Sequence, residues 1–184
     1  LVIYRRLVRT PAMVTTILGL ALAPVVINAT AAPPICRGSA LRLSLHRGGI
    51  SPETGEHATP FDLRNVGAAT CSLRGYPRVR LFDRRGAMPF RYERGGRYFF
   101  IDESPKTVLL RPGARASFVV AQYRCDVGVR SGATRVVVYP PGTTHPQSRH
   151  VPAKAFSYCK GYHGHDRRDP GNTIHIGPVR RPLS

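Results

Sequence analysis

Three sets of residues in this chain of 184 have types and spacings that could do chemistry. The first is Cys36, Cys71, Cys125 and Cys159, an even number with no C-x-x-C among them. That excludes the spacing of a zinc knuckle or a thioredoxin-like redox pair and points to disulfides. The second is Arg78, Arg80, Arg84, Arg85, Arg91, Arg94 and Arg97, interleaved with Tyr92, Tyr98 and Phe99. Guanidinium groups among aromatic rings are the chemistry of polyanion contact. The bland alternative is the solvent face of a hairpin in an arginine-rich proteome. The third is Cys159, His163, His165 and Asp166, with His175 further on. Their types suit zinc or copper. If Cys159 is oxidised it supplies no thiolate, and two histidines two apart on a polar loop are more often simply solvated.

Catalysis finds little footing. The chain has no G-x-S-x-G elbow. Ser51, Ser117 and Ser157 have no neighbours in sequence that would activate them. His46-Arg47-Gly48-Gly49 looks superficially like an oxyanion loop, but no nucleophile follows it. Glu53 and Glu56 read as members of a solvated loop. A secreted hydrolase is the weakest of the alternatives, behind a metal-carrying protein built on His163, His165 and His175. The expectation is a protein with no catalytic residues, no cofactor and no enzymatic activity.

The elements that must carry these residues begin after a leader. Arg5, Arg6 and Arg9 form a positive segment, and Met13 to Ile27 is apolar apart from Thr15 and Thr16. That is about the length of a signal-peptide core and short for a membrane span. Ala29-Thr30-Ala31 and Thr30-Ala31-Ala32 offer small residues for cleavage. The expected division is residues 1–32 as signal peptide and 33–184 as one domain, secreted or held in the cell envelope. Tyr4 and Leu7-Val8 fit a twin-arginine signal poorly, and Ile35 before Cys36 argues against lipidation. In the oxidising exported compartment the four cysteines would pair. Four cysteines allow three pairings. Joining Cys36–Cys71 and Cys125–Cys159 closes two loops of similar length, each bridge worth on the order of 3 kcal/mol. The rival Cys71–Cys125 bridge, as in antibody domains, ordinarily packs a Trp, and this chain has none.

The formal charge is +18. Without the three leader arginines, 25 basic residues face 10 acidic ones. Such a charge favours anionic lipid or an acidic cell-wall polymer, with an envelope protein as a further expected partner. Export argues against nucleic acid. Arginine outnumbers lysine 25 to 3, so the codon bias of a GC-rich genome is the competing source of the charge.

Past residue 33 no helical period of useful length appears. Short alternating runs appear instead, bounded by Gly, Pro, Asn or Asp. They are Leu41 to Leu45, Phe61 to Arg64, Val79 to Phe82, Tyr98 to Ile101, Val108 to Leu110, Ala116 to Tyr123, Thr134 to Tyr139 and Ile174 to Ile176. Asn65-Val66-Gly67 and Pro112-Gly113 read as turns. Gly48 to His57 and Gly161 to Asn172 read as polar loops. Eight or nine short strands at this spacing predict an all-β, antiparallel sandwich or barrel, and the chain is expected to be a monomer.

Several strings look familiar together. Phe61-x-Leu63-x-Asn65-x-Gly67 leads into Thr70-Cys71-Ser72-Leu73-x-Gly75-Tyr76-Pro77, then Val79-x-Leu81-x-Asp83. Leu110-x-Pro112-Gly113, Cys125, Val136-x-Val138-x-Pro140-Pro141-Gly142, Cys159-x-Gly161 and Ile174-x-Ile176-x-Pro178-Val179 follow. The chain resembles domain-of-unknown-function family 4232, found in exported actinobacterial proteins and lipoproteins. The match covers Cys36 to about Pro182. The resemblance implies an immunoglobulin-like β-sandwich with sequential disulfides, and implies no activity. The chain departs from that pattern in lacking a Trp after the Ala116 strand, where Tyr123 stands, in how closely Cys125 follows that strand, and in the stretch Gly161 to Asn172. The functional expectation is an exported binding module acting through its β-surface and loops.

Overall fold

The computed structural model describes residues 32–46, 55–95, 104–161 and 169–182. Residues 1–31 of the leader lie outside these residues, as do the run Tyr98 to Ile101 and the catalytic candidates Ser51 and Glu53. Residues 32–184 form one compact unit. Twelve strands appear among the described residues, with two short 3-10 turns and no α-helix. They are β1 (Leu41–Leu45), β2 (Glu56–Asn65), β3 (Cys71–Leu73), β4 (Arg78–Phe82), β5 (Arg91–Arg94) and β6 (Val108–Leu110). They continue as β7 (Arg115–Tyr123), β8 (Val129–Gly132), β9 (Arg135–Tyr139), β10 (Gln147–His150), β11 (Ser157–Cys159) and β12 (Thr173–Ile176).

One sheet runs β1-β2-β7-β12-β5 and a second runs β10-β9-β4. The pairs β3–β6 and β11–β8 form two further two-stranded sheets. The first three strands of the larger sheet and the three of the smaller reproduce the A-B-E against C-F-G division of an immunoglobulin sandwich. All pairs are antiparallel except β5 with β12, which are parallel. β5 and β12 fill the edge where such a sandwich has its fourth strand.

Alternation decides which side chains face inward. Leu41 and Leu43 on β1, Phe61 and Leu63 on β2, and Ala116, Phe118 and Val120 on β7 come from one sheet. Val79 and Leu81 on β4, and Val136 and Val138 on β9, come from the other. Phe61 stacks against Phe118 at 5.4 Å and against Phe156 at 6.4 Å, so three rings fill the centre in place of a Trp. Stacked pairs of this kind add about 0.5–1.5 kcal/mol each beyond the area they bury.

The disulfides are Cys36–Cys71 and Cys125–Cys159. The first ties the segment before β1 to β3, and the second ties the end of β7 to the end of β11. The turn glycines have the conformations their positions demand: Gly75 at φ +114° and Gly113 at φ +80°, where a side chain would be strained.

Some expectations are corrected. The polar stretch ending at His57 stops sooner, because Glu56 and His57 already pair with Tyr123 and Gln122 on β7. The far end of the Gly161 to Asn172 stretch is ordered and packed. Asp169 caps a 3-10 turn over Pro170–Asn172, and Gly171 and Asn172 are buried. Asn172 accepts the Cys159 amide and donates to the Cys159 carbonyl, which fixes this turn against β11.

Candidate anion-binding face

The register of β4 on β9 brings cations and rings together. Arg78 lies opposite Tyr139, Arg80 opposite Val137, and Phe82 opposite Arg135. Val79 and Leu81 point into the core, so Arg78, Arg80 and Phe82 point out, beside Tyr139, Val137 and Arg135. The Arg78 guanidinium sits 4.4 Å from the centre of the Tyr139 ring. The Arg135 guanidinium sits 4.1 Å from that of Phe82. Arg80 has no ring opposite it and leans across the sheet edge to Tyr92 on β5, at 4.9 Å. Each such pair contributes about 0.5–1 kcal/mol at an exposed site. More important here, each holds a long side chain in one place.

Tyr92 is itself fixed. Its hydroxyl oxygen accepts the Leu81 amide at 2.9 Å, bridging the two sheets at their open side. Burial pushes the phenol up from its ordinary 10.0, against the opposing pull of the Leu81 bond and the Arg80 charge, so the ring is neutral at physiological pH. Beside it lies a cleft of about 350 Å³ floored by Val79, Phe90 and Ile176, with Arg78, Arg80 and Arg94 around it.

The arginines grouped by sequence do not form one surface. Arg78 and Arg80 share the outer face of β4. Arg84 and Arg85 are exposed in the turn after β4, which Asp83 closes by accepting the Arg85 and Gly86 amides. Arg91 belongs to the other sheet, where its guanidinium donates to Thr173 Oγ1 at 2.8 and 3.2 Å. Arg94 borders the cleft, while Arg97, Tyr98 and Phe99 lie outside the described residues. Arg135 belongs with Arg78 and Arg80 although it is far away in sequence. Only strand register reveals it.

The two sheets differ in charge on their outer faces. By pairing, the face of β1-β2-β7-β12-β5 carries Arg42, Arg64, Arg91 and Arg115 together with Glu56 and Glu93, with Asp62 buried on the same side. The face of β10-β9-β4 carries Arg78, Arg80 and Arg135 with Ser148 and His150, and no carboxylate among the described residues. The large exposed apolar residues Ile35, Val66, Leu109, Val127 and Val129 all lie elsewhere.

One cluster on the larger sheet escaped sequence reasoning. Buried Asp62 accepts a 2.6 Å hydrogen bond from the Ser117 hydroxyl and lies 3.2 Å from His46 Nδ1. Serine, histidine and aspartate meet here in an order unlike that of a hydrolase. There the histidine stands between the other two, accepting the serine proton. Here the carboxylate stands between, and Ser117 is fully buried. The cluster joins β1, β2 and β7 and offers no nucleophile to a substrate.

His175, the described member of the histidine group, is buried on β12 with Nδ1 3.7 Å from Glu93. Among the described residues no three His, Cys, Asp or Glu side chains are placed to hold a metal. Cys159 is bound to Cys125, and His163, His165 and Asp166 lie outside the described residues.

The fold and this face define a disulfide-braced, immunoglobulin-like β-sandwich with a cationic outer sheet. The family model described as "Domain of unknown function (DUF4232)" matches residues 36–179, and the chain belongs to that family. Neither a curated protein nor a solved structure matches it. No helix among the described residues is long and apolar enough to cross a membrane.

Proposed function

We propose that the protein is an exported, non-enzymatic interaction module of the cell envelope or extracellular space, which binds an anionic partner through the outer face of β10-β9-β4. The observation that carries this reading is a face, free of carboxylates among the described residues, on which three guanidinium groups are held over aromatic rings. A charge arising from codon bias alone has no reason to keep carboxylates off one sheet and place them on the other. Export is supported by the leader and by four cysteines paired in two disulfides. Function on an exposed surface suits a rigid sandwich braced in this way.

The test is retention of the disulfide-intact protein on an immobilised anionic polymer. Retention at low salt that falls steeply as salt is added is the expected result. No retention at low salt sinks the reading. The secreted form should begin at Ala32 or Pro33 by mass spectrometry, and an intact leader in the mature protein would contradict export with processing.

A further inference from the structure

The three guanidinium groups are spaced as well as gathered. Arg78 and Phe82 are four residues apart on β4, so the Arg78–Tyr139 and Phe82–Arg135 pairs stand about 13 Å apart, with Arg80 midway. The backbone positions that carry them step by about 6–7 Å along the strand direction, the rise of two strand residues, with the Arg80 guanidinium displaced sideways toward Tyr92 on β5. None of the three is in a salt bridge with a described residue. A guanidinium has five N–H donors, so one held over a ring still has donors for an acceptor.

Three held cations carried at a regular backbone step fit an extended chain that repeats its anions. The rings do not offer themselves to bases. Tyr139, Tyr92 and Phe82 each have a guanidinium over the ring, and stacking on single-stranded nucleic acid needs an open aromatic face. The face also lacks a large exposed apolar side chain to enter a bilayer: Val137, at its centre, is buried. These two features leave a linear polyanion without bases or acyl chains.

Building on the reading above, we propose that the outer face of β4 and β9 takes an extended phosphodiester-linked polyol, successive phosphates meeting Arg78, Arg80 and Arg135. Extended, a three-carbon polyol phosphate repeat covers about the step between the strand positions that carry these cations. The arginines of the Asp83–Gly86 turn lie beyond the ladder and add only diffuse attraction.

The experiment measures binding of the disulfide-intact protein to a synthetic poly(glycerol phosphate) oligomer. A single-stranded oligonucleotide of equal phosphate number and phosphatidylglycerol vesicles serve as the other arms. Two variants are compared, each checked for native near-ultraviolet circular dichroism. Arg78→Lys/Arg80→Lys/Arg135→Lys keeps the net charge but loses the planar, ring-stacked donors, and should bind the oligomer about tenfold more weakly or worse. Arg84→Gln/Arg85→Gln removes two charges off the ladder and should lose less than about threefold. If the lysine variant binds like the parent, or the turn variant loses as much, the ladder is wrong while general anion binding stands. Tighter binding to the oligonucleotide or the vesicles overturns the polyol as occupant. No binding to any arm at low salt removes both the ladder and the function it rests on.

Discussion

Asn65 shows how one side chain holds a turn. It is buried at the end of β2, and its amide nitrogen donates to the carbonyls of Ala69 and Leu110 at 2.8 and 2.9 Å. Its amide oxygen accepts from Gly67 at 2.9 Å. Asn65→Ala strands a buried carbonyl and unties the turn from β6. It should cost about 2–4 kcal/mol, read as a lowered urea midpoint with unchanged slope. The turn itself was legible in Asn65-Val66-Gly67. Its anchorage was not, because the Leu110 partner lies across the fold.

His175 carries a pH dependence. Burial lowers its affinity for a proton below the ordinary value of 6.5, with nearby Arg91 acting the same way. The Glu93 charge and a bond to the Gly95 backbone oppose the shift without cancelling it. As pH falls through 6.5 the unfolded chain takes up the proton before the folded one, so stability contributed by neutral His175 is present above that value and lost below it. Stability of His175→Gln should therefore change less than that of the parent between about pH 7 and pH 5 in denaturant titrations. An equal change in both proteins would locate the acid sensitivity elsewhere.

At the scale of elements, legibility followed burial. β1, β4, β7 and β9 each set an apolar row against polar or cationic neighbours, or run apolar throughout, and all four were readable. β5 (Arg91–Arg94) and β10 (Gln147–His150) were not, since edge strands facing water need no apolar alternation. β8 and β11 were missed for the same reason on the β8 side and for brevity on the other. The parallel joining of β5 to β12 could not be foreseen either, because it links strands about eighty residues apart through pairing alone. The candidate site suffered equally. Two of its arginines stood in the sequence cluster, while Arg135 entered through its register with Phe82.

The disulfides brace elements that the sheets leave weakly tied. Cys125–Cys159 closes a loop of sequence separation 34 and joins β7 to the short β11–β8 pair. Cys36–Cys71 closes one of 35 and holds the lead-in to β1 against three-residue β3. Replacing either pair by serines should cost about 3–4 kcal/mol. Thermal melts of the two variants should both fall well below the parent; a variant melting with the parent would mean that the local packing suffices without its bridge.

For the whole molecule the central claim is that the charge is arranged, with the working cations on one outer sheet. Total charge cannot test this, because arginines on every surface contribute to it. The number of ions displaced on binding can. The most direct measurement is the slope of log binding constant against log salt concentration for a linear polyphosphodiester. The parent protein is compared with Arg78→Gln/Arg80→Gln/Arg135→Gln. If the three guanidinium groups neutralise one phosphate each, the slope should flatten by about two to three, with weaker binding at every salt concentration. Parallel lines for the two proteins would show that these three arginines make no phosphate contact, and would contradict the account.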